Sequence, residues 1–178
     1  MNEFNGQPKL AKTSLALLFI LIFSSMSFTS LAQVGYNGQL RMTQQEIISA
    51  KGTGHDAPGS SNYSAVNVIV IFGDPSKAGL YTILLKVAAN TTIAAHQHPD
   101  QRMATVVSGN WYFGYGDTFD KTKLKMLPTG SVYSEVAGQN HFAMTKGPVI
   151  VEITGYGPSG VTYVNPLDDP EHSKTISK

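Results

Sequence analysis

Residues Asn90–Gly109 read Asn-Thr-Thr-Ile-Ala-Ala-His-Gln-His-Pro-Asp-Gln-Arg-Met-Ala-Thr-Val-Val-Ser-Gly. His96 and His98 stand two apart at the end of a short, mostly apolar run. Side chains of an extended strand alternate between its faces, so both imidazoles fall on one face and both can reach one ion. Pro99 lacks an N–H and ends strand pairing, which holds the pair at a strand mouth. The β-branched run Met103–Val107 follows, closed by Gly109.

The same character extends in both directions. Strands are expected at Val66–Phe72, Leu80–Val87, Thr92–Ala95, Met103–Val107, Asn110–Tyr115, Val132–Val136, Asn140–Thr145 and Val149–Thr154. Turn clusters such as Gly73-Asp-Pro-Ser, Ser108-Gly109 and Pro128-Thr-Gly130 separate them. Short strands with turns at this spacing point to a sandwich or small barrel. Only Asp120–Met126 leaves room for another helical turn. In Asn110–Tyr115, parity places Trp111, Phe113 and Tyr115 on one face, which reads first as packing surface.

The chain has five histidines. His141 arrives on a later strand, after Gly138-Gln139, and makes a third imidazole available to the ion. Three neutral imidazoles leave coordination positions open for water or substrate. His55, in a Gly- and Asp-rich loop, and His172, in the charged tail, read as surface residues.

Asn90–Gly109 resembles the first cupin motif, G-x5-H-x-H-x3,4-E-x6-G, with both histidines, Pro99 and Gly109 in register. Asn90 replaces the opening glycine, a mild change because Asn tolerates left-handed backbone angles. Gly130–Thr145 resembles the second motif, G-x5-P-x-G-x2-H-x3-N, through Gly130 and His141. Val136 stands where Pro is often seen, and the closing Asn is missing. Gly73–Lys77, Ser108–Asp117 and Tyr163–Pro170 look like a branch of single-domain bacterial cupins bearing signal peptides. The resemblance covers roughly Val66–Pro170. It implies an all-β, antiparallel jelly-roll barrel (a double-stranded β-helix) of six to eight strands, with His96, His98 and His141 as metal ligands.

One departure matters. The family's glutamate ligand should fall at Arg102 or Met103. Arginine has no lone pair to give, and a thioether suits soft ions. Three readings stay open: a three-histidine site without carboxylate; an oxygen supplied by Gln101, Asp100 or Glu152; or a degenerate site that binds no metal. Arg102 beside an ion would attract an anionic group, so a carboxylate-bearing substrate is expected, with Trp111 and Phe113 as further contacts.

Composition bounds the function. The 178 residues contain no cysteine, which excludes disulfides and thiolate ligands. Residues 1–32 read as a secretory signal peptide. Lys9 and Lys12 form its positive region, Leu15–Phe23 its apolar core, and Ser30-Leu31-Ala32 its cleavage site. An apolar core this short does not span a bilayer. Without Lys9, Lys12 and Glu3, the 13 basic and 12 acidic residues become 11 of each, so the mature chain carries no net charge to draw nucleic acid or anionic lipid. The expected organisation is signal peptide 1–32, polar arm 33–64, barrel 65–165 and tail 166–178. Within the arm, Thr43–Ala50 is expected to form a short helix, with Thr43 as N-cap and Glu46 completing a capping box. The arm is expected to lie over the barrel or reach a neighbouring subunit.

The functional expectation is an exported protein, periplasmic or extracellular. It holds one divalent ion, Fe(II), Mn(II), Ni(II) or Zn(II), and acts on a small molecule. With Fe(II), two open cis positions suit a dioxygenase; with Zn(II), an acidified water is the nucleophile. The alternative is a non-enzymatic ligand-binding or structural protein. A homodimer is expected in either case.

Overall fold

The computed structural model describes residues 39–52, 54 and 57–172. The signal-peptide reading of 1–32 and the surface assignment of His55 lie outside these residues.

Among the described residues, ten strands form two five-stranded antiparallel sheets. They are β1 (Val66–Phe72), β2 (Gly79–Val87), β3 (Thr92–Gln97), β4 (Arg102–Ser108), β5 (Asn110–Tyr115), β6 (Lys125–Pro128), β7 (Val132–Glu135), β8 (His141–Thr145), β9 (Val149–Gly157) and β10 (Thr162–Tyr163). One sheet runs β1-β2-β9-β4-β7 and the other β10-β3-β8-β5-β6. Removing the outer strands β1 and β10 leaves β2-β9-β4-β7 facing β3-β8-β5-β6. This is jelly-roll order: apart from the β5–β6 hairpin, successive strands change sheet, and β8 and β9 slot between earlier ones. The barrel proper thus has eight strands, within the expected six to eight, and β1 and β10 extend its two sheets. Lys125–Pro128 pairs with β5, and Thr162–Tyr163 pairs with β3; neither was among the expected strands. A 3₁₀ turn at Lys121–Lys123 fills the expected helical position.

Alternation along the strands builds the core. Tyr81, Ile83, Leu85 and Val87 of β2, Ala104 and Val106 of β4, Trp111 and Phe113 of β5, and Val149, Val151 and Ile153 of β9 all point between the sheets. Each large aliphatic removed from water there contributes about 1.5–3 kcal/mol. Left-handed backbone at two turns bears on the sequence reading. Asn90 has φ 59°, as its replacement of glycine anticipates. At Gly109, φ is 83° and a Cβ would lie 2.4 Å from the Pro148 carbonyl oxygen, so only glycine fits.

The arm folds back on its own barrel. Helix α1 (Gln44–Ser49) starts at Thr43 with the capping box to Glu46 in place. Its neighbours Leu40 and Met42, together with Ile47, pack on Ala50, Ile69, Ile71 and Leu84 on the outer face of β1 and β2. Lys86 Nζ donates to the carbonyls of Ile48 and Ala50, satisfying oxygens that a helix end leaves unpaired. Beyond the helix, residues 57–63 cross one end of the barrel, and Ala57 and Tyr63 pack against the interior core.

Candidate metal centre

His96 and His98 come from β3 and its C-terminal end, and His141 from the start of β8, where it pairs with His96. The register between β3 and β8 slips between Ile93 and His96. Ile93 opposes Ala143 and His96 opposes His141, so β3 spends three residues where β8 spends two. Such a bulge resets the alternation. It lets Ile93 face the core and His96 face the site, although an odd spacing separates them.

All three imidazoles are buried, and their ligand nitrogens lie within 4.8 Å of one another. The Nδ1 atoms contact backbone carbonyls: His96 with Ala94 at 2.7 Å, His98 with Gly160 at 2.5 Å, His141 with Gln139 at 3.2 Å. A carbonyl only accepts, so each Nδ1 carries the proton and each Nε2 keeps its lone pair. Outer hydrogen bonds of this kind fix the orientation of metal-ligating histidines. The Nε2 atoms of His98 and His141 are buried with no hydrogen-bond partner. Burial holds all three rings neutral. It lowers His96 to about 3 with help from His141, lowers His98 well below its usual range with help from Arg102, and lowers His141 against the opposing pull of Glu135.

The carboxylate in the site is Glu135. It lies on β7 and is 4% exposed. Its Oε2 stands 3.8 Å from His98 Nε2 and 3.9 Å from His141 Nε2. Arg102, directly opposite on β4, donates to that oxygen through Nε at 2.6 Å and also through Nη2. Burial raises the Glu135 carboxyl, but Arg102, His141 and His96 outweigh it, and the net shift is downward. Burial likewise lowers Arg102, and Glu135 reverses it. The pair is therefore ionised. An anionic oxygen facing two lone pairs across less than 4 Å is unfavourable unless a cation lies between them. Four ligands of a tetrahedral ion with bonds of 2.0–2.3 Å sit about 3.3–3.8 Å apart. The donors fit a divalent ion.

Several expectations are corrected. Gln101 is exposed and stands outside the cluster, because it precedes β4 and alternation turns Arg102 inward instead. Glu152 lies between the inward-facing Val151 and Ile153, so it points to the outer face of the sheet. Asp100 is buried but engaged elsewhere, accepting from Tyr81 at 2.6 Å and Ser159 at 2.7 Å. Arg102 does not stand free for a ligand: two of its nitrogens hold Glu135, and Nη1 donates to the Gly59 carbonyl at 2.9 Å. Trp111 and Phe113 are core residues that also line the site, and the Phe113 ring stacks on His141 with centroids 5.3 Å apart. Sequence reasoning missed Glu135. Its signal was present: β7 alternates, and the inward Tyr133 implies an inward Glu135 two residues on.

The cavity bounded by the three histidines, Glu135, Arg102, Trp111, Phe113 and Ser61 measures about 20 Å³. That is room for an ion or one water. Ser61 Oγ and Trp111 Nε1 are also buried without hydrogen bonds. The Tyr133 hydroxyl lies near Trp111 and Glu135 but closes a hydrogen bond with neither.

No protein-family profile and no curated protein matches the chain. Solved structures do resemble it. An RmlC-like cupin from Shewanella frigidimarina is 15% identical, with TM-score 0.43 over 52% of this chain and 76% of its own. A DMSP lyase from Ruegeria pomeroyi is 17% identical, with TM-score 0.49 over 70% and 60%. The salicylate 1,2-dioxygenase of Pseudoaminobacter salicylatoxidans is 10% identical, with TM-score 0.47 over 56% and 29%, so the match spans under a third of that enzyme.

Proposed function

We propose that this jelly-roll protein is exported and holds one divalent ion through His96, His98 and His141, with Glu135 as fourth ligand. In this reading it uses the ion in oxidative chemistry on a small, carboxylate-bearing molecule. One observation carries the proposal. Three neutral imidazoles, each tied at Nδ1 to a backbone carbonyl, turn their Nε2 atoms into a buried cavity beside an ionised carboxylate. Fe(II), Mn(II), Ni(II) and Zn(II) all accept such donors.

A bound ion would supply Lewis acidity and, with iron, a place for dioxygen and substrate side by side. The protein's own groups do the rest. The Nδ1 hydrogen bonds fix the ring planes before any ion arrives. Arg102 holds Glu135 anionic and keeps its oxygen near the imidazoles. Phe113, Leu85, Ile93 and Ala143 exclude water from the other side of the cavity. Arg102 is also the cation nearest the cavity, and a substrate carboxylate would reach it only by taking Nη1 from the Gly59 carbonyl.

The alternative, a binding protein without turnover, draws support from the small size of the cavity. Elemental analysis of protein purified without chelator or nickel resin, beside a His98→Ala control, tests the metal reading. About one equivalent of one metal, lost in the control, is expected from a single three-histidine site. No metal in either sample and no uptake when ions are offered would refute it. Turnover then separates enzyme from binder: a substrate-dependent product for the first, only a raised melting temperature for the second. We also propose a homodimer, to be checked by sedimentation of the mature protein.

A further inference from the structure

A cavity of about 20 Å³ admits no organic ligand, so something must move before a substrate reaches the histidines. Most of the wall cannot move cheaply, because β3, β4, β5, β7 and β8 are locked into ladders. The exception is the crossing segment 57–63. Gly59 and Ser61 line the cavity from this segment, and neither belongs to a strand.

Few bonds hold it. Arg102 Nη1 donates to the Gly59 carbonyl, and the buried Tyr163 hydroxyl donates to the Ser61 carbonyl. The Ser60 amide is satisfied within the segment by Ala57, and Tyr63 accepts from Val66. Gly59 is packed so closely that a Cβ would stand 2.3 Å from Ser159 Oγ and 3.2 Å from Arg102 Nη1, and its φ of 80° suits glycine. The segment thus presents a bare backbone carbonyl to a buried guanidinium. That oxygen accepts from Nη1, the one Arg102 nitrogen that Glu135 leaves unused.

We propose that residues 57–63 form a displaceable strap, and that the Gly59 carbonyl stands where a carboxylate oxygen of the substrate binds. This inference rests on the proposed function and adds how that site is regulated. Displacing the strap opens the cavity beside the metal ligands and frees Arg102 Nη1 in one movement. The indole N–H of Trp111, 3% exposed and unpaired on the same cavity, becomes a second donor. Two donors, one cationic, select an anionic, acceptor-rich ligand over a neutral one. The closed strap keeps water and stray ligands off the ion until such an anion takes Arg102 from Gly59.

The test has two arms. In the first, deuterium exchange of the peptide covering 57–63 is followed in metal-free protein with sodium acetate, or with acetamide plus chloride at equal ionic strength. Acetate should speed exchange of this peptide and acetamide should not; equal effects, or none, would overturn the strap's role as carboxylate mimic. In the second, Tyr163→Phe removes the hydroxyl that holds Ser61. Strap exchange and the rate of Co(II) uptake, read from cobalt absorbance, should both rise, by roughly 2- to 10-fold for one lost hydrogen bond. Faster strap exchange with unchanged uptake would overturn the gate. No Co(II) uptake by either protein would instead refute the metal reading, and the acetate arm would still decide whether an anion displaces the strap.

Discussion

Replacing Arg102 by methionine should cost the metal-free protein about 3–5 kcal/mol, the usual penalty for stranding one half of a buried ion pair. Both members are nearly inaccessible, at 2% for Arg102 and 4% for Glu135. Methionine keeps most of the volume, so the loss is electrostatic, apart from about 1 kcal/mol for the bond to Gly59. Glu135→Leu should cost a similar amount by stranding the cation. The double variant removes both charges and should recover to within about 2 kcal/mol of the parent, because a well-packed apolar pair often matches a buried salt bridge. Urea unfolding reads this directly. With a slope of roughly 1–3 kcal/mol per molar, each single variant should lower the midpoint by on the order of 2 M, and the double variant by much less. Zinc added to Arg102→Met should restore part of the loss, since the ion neutralises Glu135 in place of the guanidinium. Single variants that lose under 1 kcal/mol, or a double variant as unstable as the worse single, would refute the assignment of Arg102 and Glu135 as a coupled buried pair.

Other outcomes follow from the same geometry. Acid should destabilise the metal-free fold well above the carboxylate range. His96 titrates near 6.5 unfolded and about 3 folded, so the unfolded chain binds the extra proton between those values and stability falls as pH drops. His96 alone should account for about 2 kcal/mol between pH 7 and 5, checked by urea midpoints across that range; a flat profile would contradict neutral burial. Glu135 works lower down, contributing stability above its unfolded value that is lost as pH falls through its depressed folded value. Saturating zinc, at 100 times its dissociation constant, should stabilise the parent by about 2.7 kcal/mol and leave His98→Ala unchanged by calorimetry. Gly155→Ala would put a methyl 2.6 Å from the Tyr81 hydroxyl and 2.7 Å from Asp100 Oδ2, displacing that hydrogen bond; a loss of about 1–3 kcal/mol in thermal unfolding is expected. Protein expressed in full should be recovered outside the cytoplasm and begin at Gln33 by N-terminal sequencing; protein found only in the cytoplasm with Met1 intact would remove the export proposal.

Much of this was legible along the chain. Strand positions followed from alternation and turn residues, as in Val66–Phe72 and Asn110–Tyr115, whose limits match the structure. The histidines followed from spacing, and α1 from its capping box. What escaped was set by pairing between distant segments. Lys125–Pro128 and Thr162–Tyr163 are too short and too polar to announce themselves, and they become strands only because β5 and β3 offer open edges. The β3 bulge exists only relative to β8. The carboxylate was sought near Arg102 in sequence, where the motif places it, but it stands 33 residues on, across a strand pair. Arg102 at the glutamate's expected position and Glu135 opposite it put the two charges on facing strands, a relation that only the register reveals.

The most direct measurement is anomalous diffraction from crystals grown with Co(II) or Zn(II), collected at that metal's absorption edge. The account expects one strong peak per chain in the barrel interior, about 2.0–2.2 Å from the Nε2 atoms of His96, His98 and His141, with Glu135 turned toward it. An empty cavity at saturating metal, or a peak bound only by surface groups, would contradict the claim that these residues form a metal centre.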